Sequence, residues 1–245
     1  MNRIFLYPEE IASLSNNNRE VVIHDQTRTS HVREVLKAKA GDNIRIVAIN
    51  HGLGDAKILH IEETCLRLDL APLQPKTIDY LLDEIWVGAC RPQTVKKIFE
   101  YATSMGVGII RFFKAELSEK SYLTSKIFEL ENQRQHLALG LAQSGIYYQM
   151  PKVIVSPYFP TLAPNSPAFL CSMTAHQSLF TSKCETKRQS ITLVFGPERG
   201  LTPAEESRFL EMGMIPVNIH PSTLRLEVAI IGALSQLHAQ RFFLA

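Results

Sequence analysis

Short apolar runs separated by turn-forming residues occupy the first third of the chain. Three of these runs are rich in valine and isoleucine, as β-strands are: Glu20–Ile23, Asn43–Ile49 and Ala56–Ile61. The segment Asn50–Asp55 contains two glycines and predicts a hairpin loop between two of the strands. In Thr29–Lys39, Val32 and Leu36 lie at helical spacing. The pattern predicts a small β-barrel with one short helix.

Two prolines, Pro72 and Pro75, lie where the hydrophobic pattern changes. Before them the predicted elements are strands, and after them strands alternate with helices. Prolines at such a change are typical of a linker. We therefore divide the chain into a domain of residues 1–73 and a domain of residues 74–245.

The second domain has the alternation expected of βαβ units. Its first unit is predicted by the buried strand Ile85–Cys90, the helix Thr94–Met105 and the strand Val107–Phe113. Residues 120–143 predict one or two helices, and proline-rich Ser156–Pro167 predicts a loop. Three further strands are predicted: Lys152–Val155, Ala168–Cys171 and Ile191–Phe195. This pattern predicts an α/β fold with a mostly parallel sheet.

Two loops near the carboxyl terminus each join a predicted strand to a predicted helix. Gly196–Gly200 follows a strand and precedes Thr202–Glu205, whose spacing predicts a capping box at a helix start. His220–Thr223 follows the strand Met214–Ile219 and precedes a helix with an apolar face. Ligands of parallel sheets bind beyond the carboxyl ends of strands, so the two loops predict a pocket. Two tight turns without a ligand are the alternative.

Composition excludes several classes of protein. The chain has 245 residues, of which 45% are hydrophobic and 20% charged, and this excludes disordered, collagen-like and coiled-coil proteins. The net charge of +2 gives no chain-wide basic field, so an RNA site must be local. No glycine-rich fingerprint of dinucleotide or triphosphate binding follows a strand.

Cysteine spacing indicates a reducing compartment, and hydropathy indicates a protein without a membrane-spanning segment. Cys65, Cys90, Cys171 and Cys184 are far apart, and we expect reduced core thiols. No cluster of potential ligands has metal-binding spacing, and no metal is expected. The start lacks the apolar region of a signal peptide, and no apolar run approaches the roughly 18 residues of a membrane span. We expect a cytoplasmic protein without a membrane partner.

Five segments carry a family resemblance: Arg3–Phe5, His31–Leu36 with Gly41 and Asp42, Ala102–Val107, Gly196–Gly200 and Leu224–Ala229. With them the chain resembles, from end to end, the ribosomal small-subunit RNA methyltransferase E family of the SPOUT superfamily. The resemblance implies methyl transfer from S-adenosylmethionine to N3 of a uridine in 16S rRNA. It also implies a PUA-like β-barrel that helps to grip RNA, an α/β domain with a deep trefoil knot, and a homodimer formed through the knotted domain.

The same resemblance implies which residues contact the cofactor: Leu170, Gly196, Glu198, Gly200, Ile219, Pro221, Thr223, Leu224 and Arg225. Removing the N3 proton leaves negative charge on the uracil oxygens, which a fixed donor should stabilise. Arg225 is the candidate donor, and Glu198 or His220 is the candidate proton acceptor. A loop carboxylate such as Glu198 is also expected to accept backbone N–H bonds without a catalytic role.

Basic side chains are the candidates for contacts with RNA phosphates. They are Arg3, Arg28, Arg33, Lys37 and Lys39 in the first domain and Arg91, Lys96 and Lys97 in the second. A solvated charged face is the alternative for each of them. Tyr147 and Tyr148 either stack on a base or pack inside the protein.

The chain also departs from the family pattern. Arg199 replaces the fourth residue of a glycine-proline-glutamate-glycine-glycine loop, and His220–Ser222 stands where glycine-proline-arginine is usual. Leu226–Val228 replaces the usual glutamate and threonine after the arginine, and an expected basic residue is missing near Ile146. These changes leave two alternatives open: a knotted RNA-binding paralogue with weak or lost activity, and a SPOUT methyltransferase with a different RNA target.

Overall fold

A computed structural model describes residues 3–12, 14–15, 18–75, 83–182 and 189–243. The chain forms two compact units, one of residues 1–77 and 138–150 and the other of residues 78–137 and 151–245. The division at residues 73 and 74 stays a prediction, and no sequence pattern assigned residues 138–150 to the first unit. Cys184 and residues 76–82, which follow the predicted linker, lie outside the described residues.

The first unit contains a five-stranded sheet in the order β1-β3-β4-β5-β2. Its strands are β1 (Ile4–Leu6), β2 (Glu20–Ile23), β3 (Asn43–Ala48), β4 (Gly52–Ile61) and β5 (Leu66–Leu70). β1 is parallel to β3, and the other pairs are antiparallel. In β3, Ile44, Ile46 and Ala48 are buried in the core of this unit, whereas Asn43 and Arg45 are exposed and Val47 is buried as well. β1 and β5 were not predicted.

The hairpin between β3 and β4 is tighter than the sequence predicted. Ala48 pairs with Gly52, so most of the predicted loop Asn50–Asp55 belongs to β4. Asn50, with φ of 65°, makes the turn, and the backbone nitrogen of His51 donates to the carbonyl of Ala48 at 3.0 Å. The prediction of a six-residue loop was wrong because the two glycines are paired strand residues.

Two short helices lie in the amino-terminal part of this unit, α1 (Pro8–Ile11) and α2 (Gln26–Ser30). α2 continues as a π-helical turn over His31–Val35. The helix begins before the predicted Thr29 because the carboxylate of Asp25 accepts a hydrogen bond from the backbone nitrogen of Arg28. It ends before the predicted Lys39, since Lys37 has φ of 54°.

The second unit contains a six-stranded sheet in the order β11-β9-β10-β6-β7-β8. Its strands are β6 (Asp83–Gly88), β7 (Val107–Phe113), β8 (Lys152–Ser156), β9 (Ala168–Cys171), β10 (Thr192–Phe195) and β11 (Ile215–Val217). Every pair of neighbours in this sheet is parallel. The predicted α/β fold with a mostly parallel sheet is confirmed.

Four longer helices follow or separate these strands: α3 (Pro92–Ser104), α4 (Leu130–Ser144), α5 (Pro203–Glu211) and α6 (Leu226–Phe243). Single 3-10 turns lie at Tyr122–Thr124, Lys126–Phe128 and Leu179–Thr181. α5 begins with the predicted capping box, in which the side chains of Thr202 and Glu205 each accept a hydrogen bond from the other's backbone nitrogen. α3 packs against both β7 and α6.

A buried ion pair joins the end of α6 to the start of β6. The guanidinium of Arg241 contacts both carboxylate oxygens of Asp83, at 2.6 and 2.8 Å. Asp83 also accepts a hydrogen bond from the backbone nitrogen of Ile191, just before β10. In the described part of the chain, no helix has the length and hydrophobicity needed to cross a membrane.

Candidate functional site

A cavity of about 340 Å³ lies at one edge of the parallel sheet. β9 lies between β10 and β11, so the carboxyl ends of three adjacent strands meet at this edge. The loops that follow these strands line the cavity, together with side chains from α5 and α6. This is where ligands bind in open parallel sheets, and the volume lies within the usual range for small-molecule pockets.

Most of the predicted cofactor residues line this cavity: Gly196, Glu198, Gly200, Ile219, Thr223 and Leu224. His220 lines it as well. Leu170 is buried in the core beside β10, while Pro221 and Arg225 are exposed outside the described lining. The structure therefore brings the two carboxyl-terminal motifs to one cavity, and the cofactor contacts themselves stay predictions.

The glycine-rich loop Gly196–Gly200 folds tightly on itself. The backbone nitrogen of Gly200 donates to the carbonyl of Pro197 at 2.8 Å, and Gly200 has φ of 78°. A Cβ atom at Gly196 would lie 3.0 Å from the backbone nitrogen of Leu201. The loop thus presents backbone rather than side chain to the cavity at these positions.

Gly88 is a site residue that the sequence analysis missed. It ends β6, and a Cβ atom there would lie 2.5 Å from Cδ of Pro197. Only glycine lets the loop after β10 pass this close to β6. A glycine inside the predicted strand Ile85–Cys90 is the one sequence signal for such an approach.

Glu198 extends from the loop to the start of α3. Its Oε1 atom accepts hydrogen bonds from the backbone nitrogen of Arg91 and from the hydroxyl of Thr94, both at 3.0 Å. The first backbone N–H groups of a helix have no partner within the helix, and a carboxylate there also interacts favourably with the helix dipole. The geometry gives Glu198 a capping function, as expected for a loop carboxylate.

His220 is held by its own loop. Its Nδ1 atom accepts a hydrogen bond from the backbone nitrogen of Ser222 at 3.1 Å and lies 2.9 Å from the Ser222 hydroxyl. A neutral imidazole with an accepting Nδ1 carries its proton on Nε2. Nδ1 is therefore the ring nitrogen of His220 that carries the lone pair, and this lone pair already accepts a hydrogen bond from Ser222. The geometry leaves the choice between Glu198 and His220 as proton acceptor open.

The first turn of α6 is fixed by a contact with α3. Nζ of Lys97 lies 2.9 Å from Oε1 of Glu227, whose side chain is 11% exposed. Burial raises the pKa of Glu227. The hydrogen bond and charge of Lys97, a hydrogen bond from the backbone at Glu227 and the charge of Arg225 together lower it by more, so the pKa lies below its usual value. Burial also raises the pKa of the nearby Cys90 thiol, with a contribution from the charges of Glu198 and Glu227.

A polar cluster of Ser172, Thr174 and Glu206 lines another part of the cavity. The hydroxyl of Ser172 donates to Oε1 of Glu206 at 3.0 Å and lies 2.9 Å from the hydroxyl of Thr174. The sequence gives no signal for this cluster, because a serine after a strand and a carboxylate on a helix form no motif. Cys171 also lines the cavity, and burial raises the pKa of its thiol above the usual value.

Arg28 corrects one of the predicted RNA contacts. Its side chain is buried, and its guanidinium contacts the carboxylate of Glu10 at 2.7 Å and the carbonyl of Phe5 at 3.0 Å. The guanidinium also lies over the rings of Phe5 and Tyr7. The expectation that Arg28 meets an RNA phosphate was wrong, since protein groups surround the charge.

Two other predicted RNA residues have contacts within their own unit. Arg3 is half-buried, and its guanidinium donates to the carbonyls of Ile46 at 3.3 Å and Gly145 at 3.5 Å. Lys97 is paired with Glu227 as described above. Tyr147 is buried and therefore packs inside the protein, whereas Tyr148 is half-buried.

The remaining basic candidates are exposed: Arg33, Lys37, Lys39, Arg91 and Lys96. Arg33 forms a surface ion pair with Glu34 at 3.1 Å. A hydrogen bond with the Tyr122 hydroxyl raises the pKa of Arg91, and the Glu198 carboxylate adds to this. RNA contacts by these five residues stay predictions. Within the described residues, no group of three or more histidine, cysteine, aspartate or glutamate side chains is placed to hold a metal ion.

Comparison with known proteins gives the family of the chain. A family model for the RNA methyltransferase domain matches residues 83–238. Ribosomal RNA small subunit methyltransferase E 1 of Borreliella burgdorferi is 29% identical over 85% of this chain and 88% of its own. Ribosomal RNA small subunit methyltransferase E of Treponema pallidum is 27% identical over 95% of this chain and 89% of its own.

A solved structure shares the fold over nearly the whole chain. It is a ribosomal RNA small subunit methyltransferase E from Neisseria gonorrhoeae bound to S-adenosyl methionine, with a TM-score of 0.73. The two chains are 17% identical, and the match covers 98% of this chain and 97% of that one.

Proposed function

The chain belongs to the RNA methyltransferase domain family, and on this premise we propose that it transfers a methyl group from S-adenosylmethionine to N3 of a uridine in 16S rRNA of the small ribosomal subunit. One observation carries the proposal. The family match runs from β6 into α6, and within it three strand-end loops enclose one cavity at the edge of the parallel sheet.

The residues of the cavity fit this cofactor. Phe195, Leu201 and Leu224 offer apolar surface to an adenine ring, while the backbone around Gly196 and Gly200 is accessible to polar groups. Hydroxyl and carboxylate groups lie on another part of the lining. The bound cofactor supplies an electrophilic methyl group on a sulfonium.

The chain's own residues hold the uridine in line with that methyl group. Positioning of this kind can supply about 7–11 kcal/mol of the barrier. A bond forms between uridine N3 and the methyl carbon as the carbon–sulfur bond breaks, and the N3 proton leaves to Glu198, His220 or water. Arg225, at the start of α6, stabilises the negative charge on the uracil oxygens. The Lys97–Glu227 pair fixes the turn that carries Arg225.

The proposal includes the finer features of the family fold. The first unit is a PUA-like barrel that helps to hold RNA, and the carboxyl-terminal part of the second unit is a deep trefoil knot. The strand order supports the knot to the extent that the chain crosses over β9 between β10 and β11. A homodimer through the knotted domain is supported by exposed aromatic residues at Phe180 and Phe243. The protein acts in the cytoplasm, where its substrate is found.

Exposed basic residues are the proposed contacts with rRNA. Arg33, Lys37, Arg91 and Lys96 position the strand through its phosphates, while the cavity reads the target base. These contacts carry no sequence information themselves. Their loss is therefore expected to weaken RNA binding for all sequences and to reduce its salt dependence.

Calorimetric titration with S-adenosylmethionine tests the proposal. Binding at micromolar strength, about −8 kcal/mol, is expected. No binding to the chain, either alone or with 16S rRNA present, would contradict the proposed activity. If RNA binding persisted in that case, the result would favour an RNA-binding relative in which the changes at Arg199 and Ser222 have removed donor binding.

A further inference from the structure

The hydrogen bonds among Ser172, Thr174 and Glu206 hold the Glu206 carboxylate in one orientation. Ser172 Oγ donates to Glu206 Oε1 at 3.0 Å, and it accepts a hydrogen bond from the backbone nitrogen of Thr174 at 3.3 Å. Ser172 immediately follows β9, and Glu206 lies on α5, so the contact joins two separate elements. The Glu206 carboxylate is therefore held in place by the protein and needs no reorientation to bind a ligand.

The cluster offers hydrogen-bond acceptors to a ligand. The hydroxyl proton of Ser172 is used by Glu206, which leaves Oε2 of Glu206 and the hydroxyl oxygen of Thr174 to accept. An ionised carboxylate is a strong acceptor. The ligand group that fits must therefore donate hydrogen bonds from two neighbouring atoms.

S-adenosylmethionine has two groups that donate several hydrogen bonds, the ribose cis-diol and the α-ammonium, and of these the diol donates from two neighbouring atoms whereas the ammonium donates from one nitrogen. Glu206 is half-buried, and its Oε2 and the hydroxyl oxygen of Thr174 are two separate acceptors, which match the two hydroxyls of a diol one to one. Leu201 and Phe195 line the same cavity and offer apolar surface to the adenine attached to that ribose. Carboxylates also recognise ribose hydroxyls in dinucleotide-binding folds.

We infer that Glu206, oriented by Ser172, accepts hydrogen bonds from the ribose hydroxyls of the bound methyl donor. The inference rests on the proposed function, because it assigns one part of the cofactor to one part of the cavity. Glu206 selects for a nucleoside with an intact ribose, and the loops after β10 and β11 hold the remainder.

Two nucleosides separate the ribose from the amino-acid part. S-adenosylhomocysteine contains both, whereas 5′-methylthioadenosine keeps adenine and ribose and lacks the ammonium. Calorimetric titration of the full chain is expected to show that Glu206→Gln lowers the affinity for both ligands by the same factor, about tenfold or more. Glu211→Gln changes an exposed carboxylate on the same helix and is expected to leave both affinities unchanged.

Loss of affinity for S-adenosylhomocysteine alone would overturn the inference, since Glu206 would then meet the ammonium. Unchanged affinity for both ligands would overturn it as well. Ser172→Ala provides a second test that leaves the carboxylate in place, and a loss of about threefold for both ligands is expected from a freer Glu206. If the unmodified chain bound neither nucleoside, the proposed function itself would fail, and the inference with it.

Discussion

Oε1 of Glu198 lies 3.0 Å from the backbone nitrogen of Arg91, 107 positions earlier in the chain, and accepts its hydrogen bond. Arg91 is the N-cap residue of α3, and Glu198 belongs to the glycine-rich loop after β10. The hydrogen bond therefore ties the cavity loop to a helix from a distant part of the sequence. It gives the carboxylate a structural function whether or not it also accepts a proton.

Replacing Glu198 is expected to lower the free energy of unfolding by about as much as the loss of a helix cap does. Glu198→Ala removes the acceptor for Arg91 and Thr94 and should cost about 1–2 kcal/mol, whereas Glu198→Gln keeps a carbonyl acceptor and should cost less. Urea unfolding of the two variants and the unmodified chain measures the difference. Equal stability of all three would show that the hydrogen bond contributes nothing in solution.

Arg225→Ala is expected to lower turnover without weakening the binding of the cofactor. The residue lies outside the described lining of the cavity, so the Kd for S-adenosylmethionine should stay within about twofold, while kcat should fall by about 100-fold or more if Arg225 stabilises charge in the transition state. Arg19→Ala, an exposed arginine of the first unit, is the matched control. Full turnover by Arg225→Ala would remove the function that we give this residue.

Glu227 predicts a pH dependence of stability. Its pKa is lowered in the folded chain, so its contribution is complete above the unfolded pKa, about 4.3, and is lost as the pH falls through the lower folded value. The difference in free energy of unfolding between the unmodified chain and Glu227→Gln should be constant above about pH 5 and shrink below about pH 4.

The partner of Glu227 provides the control for this prediction. Lys97→Met should raise the pKa of Glu227, because burial is then opposed by the backbone hydrogen bond and Arg225 alone. Urea unfolding between neutral and acidic pH follows both variants. A difference between the unmodified chain and Glu227→Gln that does not change with pH would show that the pair with Lys97 does not lower this pKa.

Two glycines of the second unit should respond to alanine in opposite ways. Gly88→Ala places a Cβ atom 2.5 Å from Pro197 and should cost about 1–3 kcal/mol of stability as the loop is displaced. Cofactor affinity should fall by about tenfold or more in this variant, since tenfold corresponds to only about 1.4 kcal/mol. Calorimetry and urea unfolding measure the two effects.

Gly232→Ala is the matched control on α6. A Cβ atom there would lie 3.8 Å from a side-chain atom of Ile219, which is ordinary contact, so the variant should be neutral or up to about 1 kcal/mol more stable. Wild-type cofactor affinity in Gly88→Ala would mean that the loop tolerates the displacement.

Local signals in the sequence predicted the second unit well. Thr202, Pro203 and Glu205 form a capping box within four residues, and the helix begins there as predicted. The apolar runs of the parallel strands were recognisable because both faces of such a sheet are covered. The two carboxyl-terminal loops were placed at one pocket because parallel strands share an edge, and the structure brings their residues to one cavity.

Contacts between distant residues could not be predicted from the sequence. Arg28 is of a residue type that contacts RNA phosphates, yet its guanidinium is bound by the carboxylate of Glu10 and the carbonyl of Phe5. Nothing in its local sequence indicates these contacts. Asp83 and Arg241 are 158 positions apart, and their buried pair depends on the completed sheet. The same holds for Glu206 and Ser172, whose elements meet only in the folded unit.

The product of the reaction tests the central claim most directly. The purified protein is incubated with small ribosomal subunits or 16S rRNA that lack the modification and with methyl-labelled S-adenosylmethionine, and the RNA is then digested to nucleosides and analysed by mass spectrometry. We predict labelled 3-methyluridine, and a strongly reduced yield with Arg225→Ala. Label in another nucleoside would contradict the assigned target, and a complete absence of label with both substrates would contradict the proposed activity.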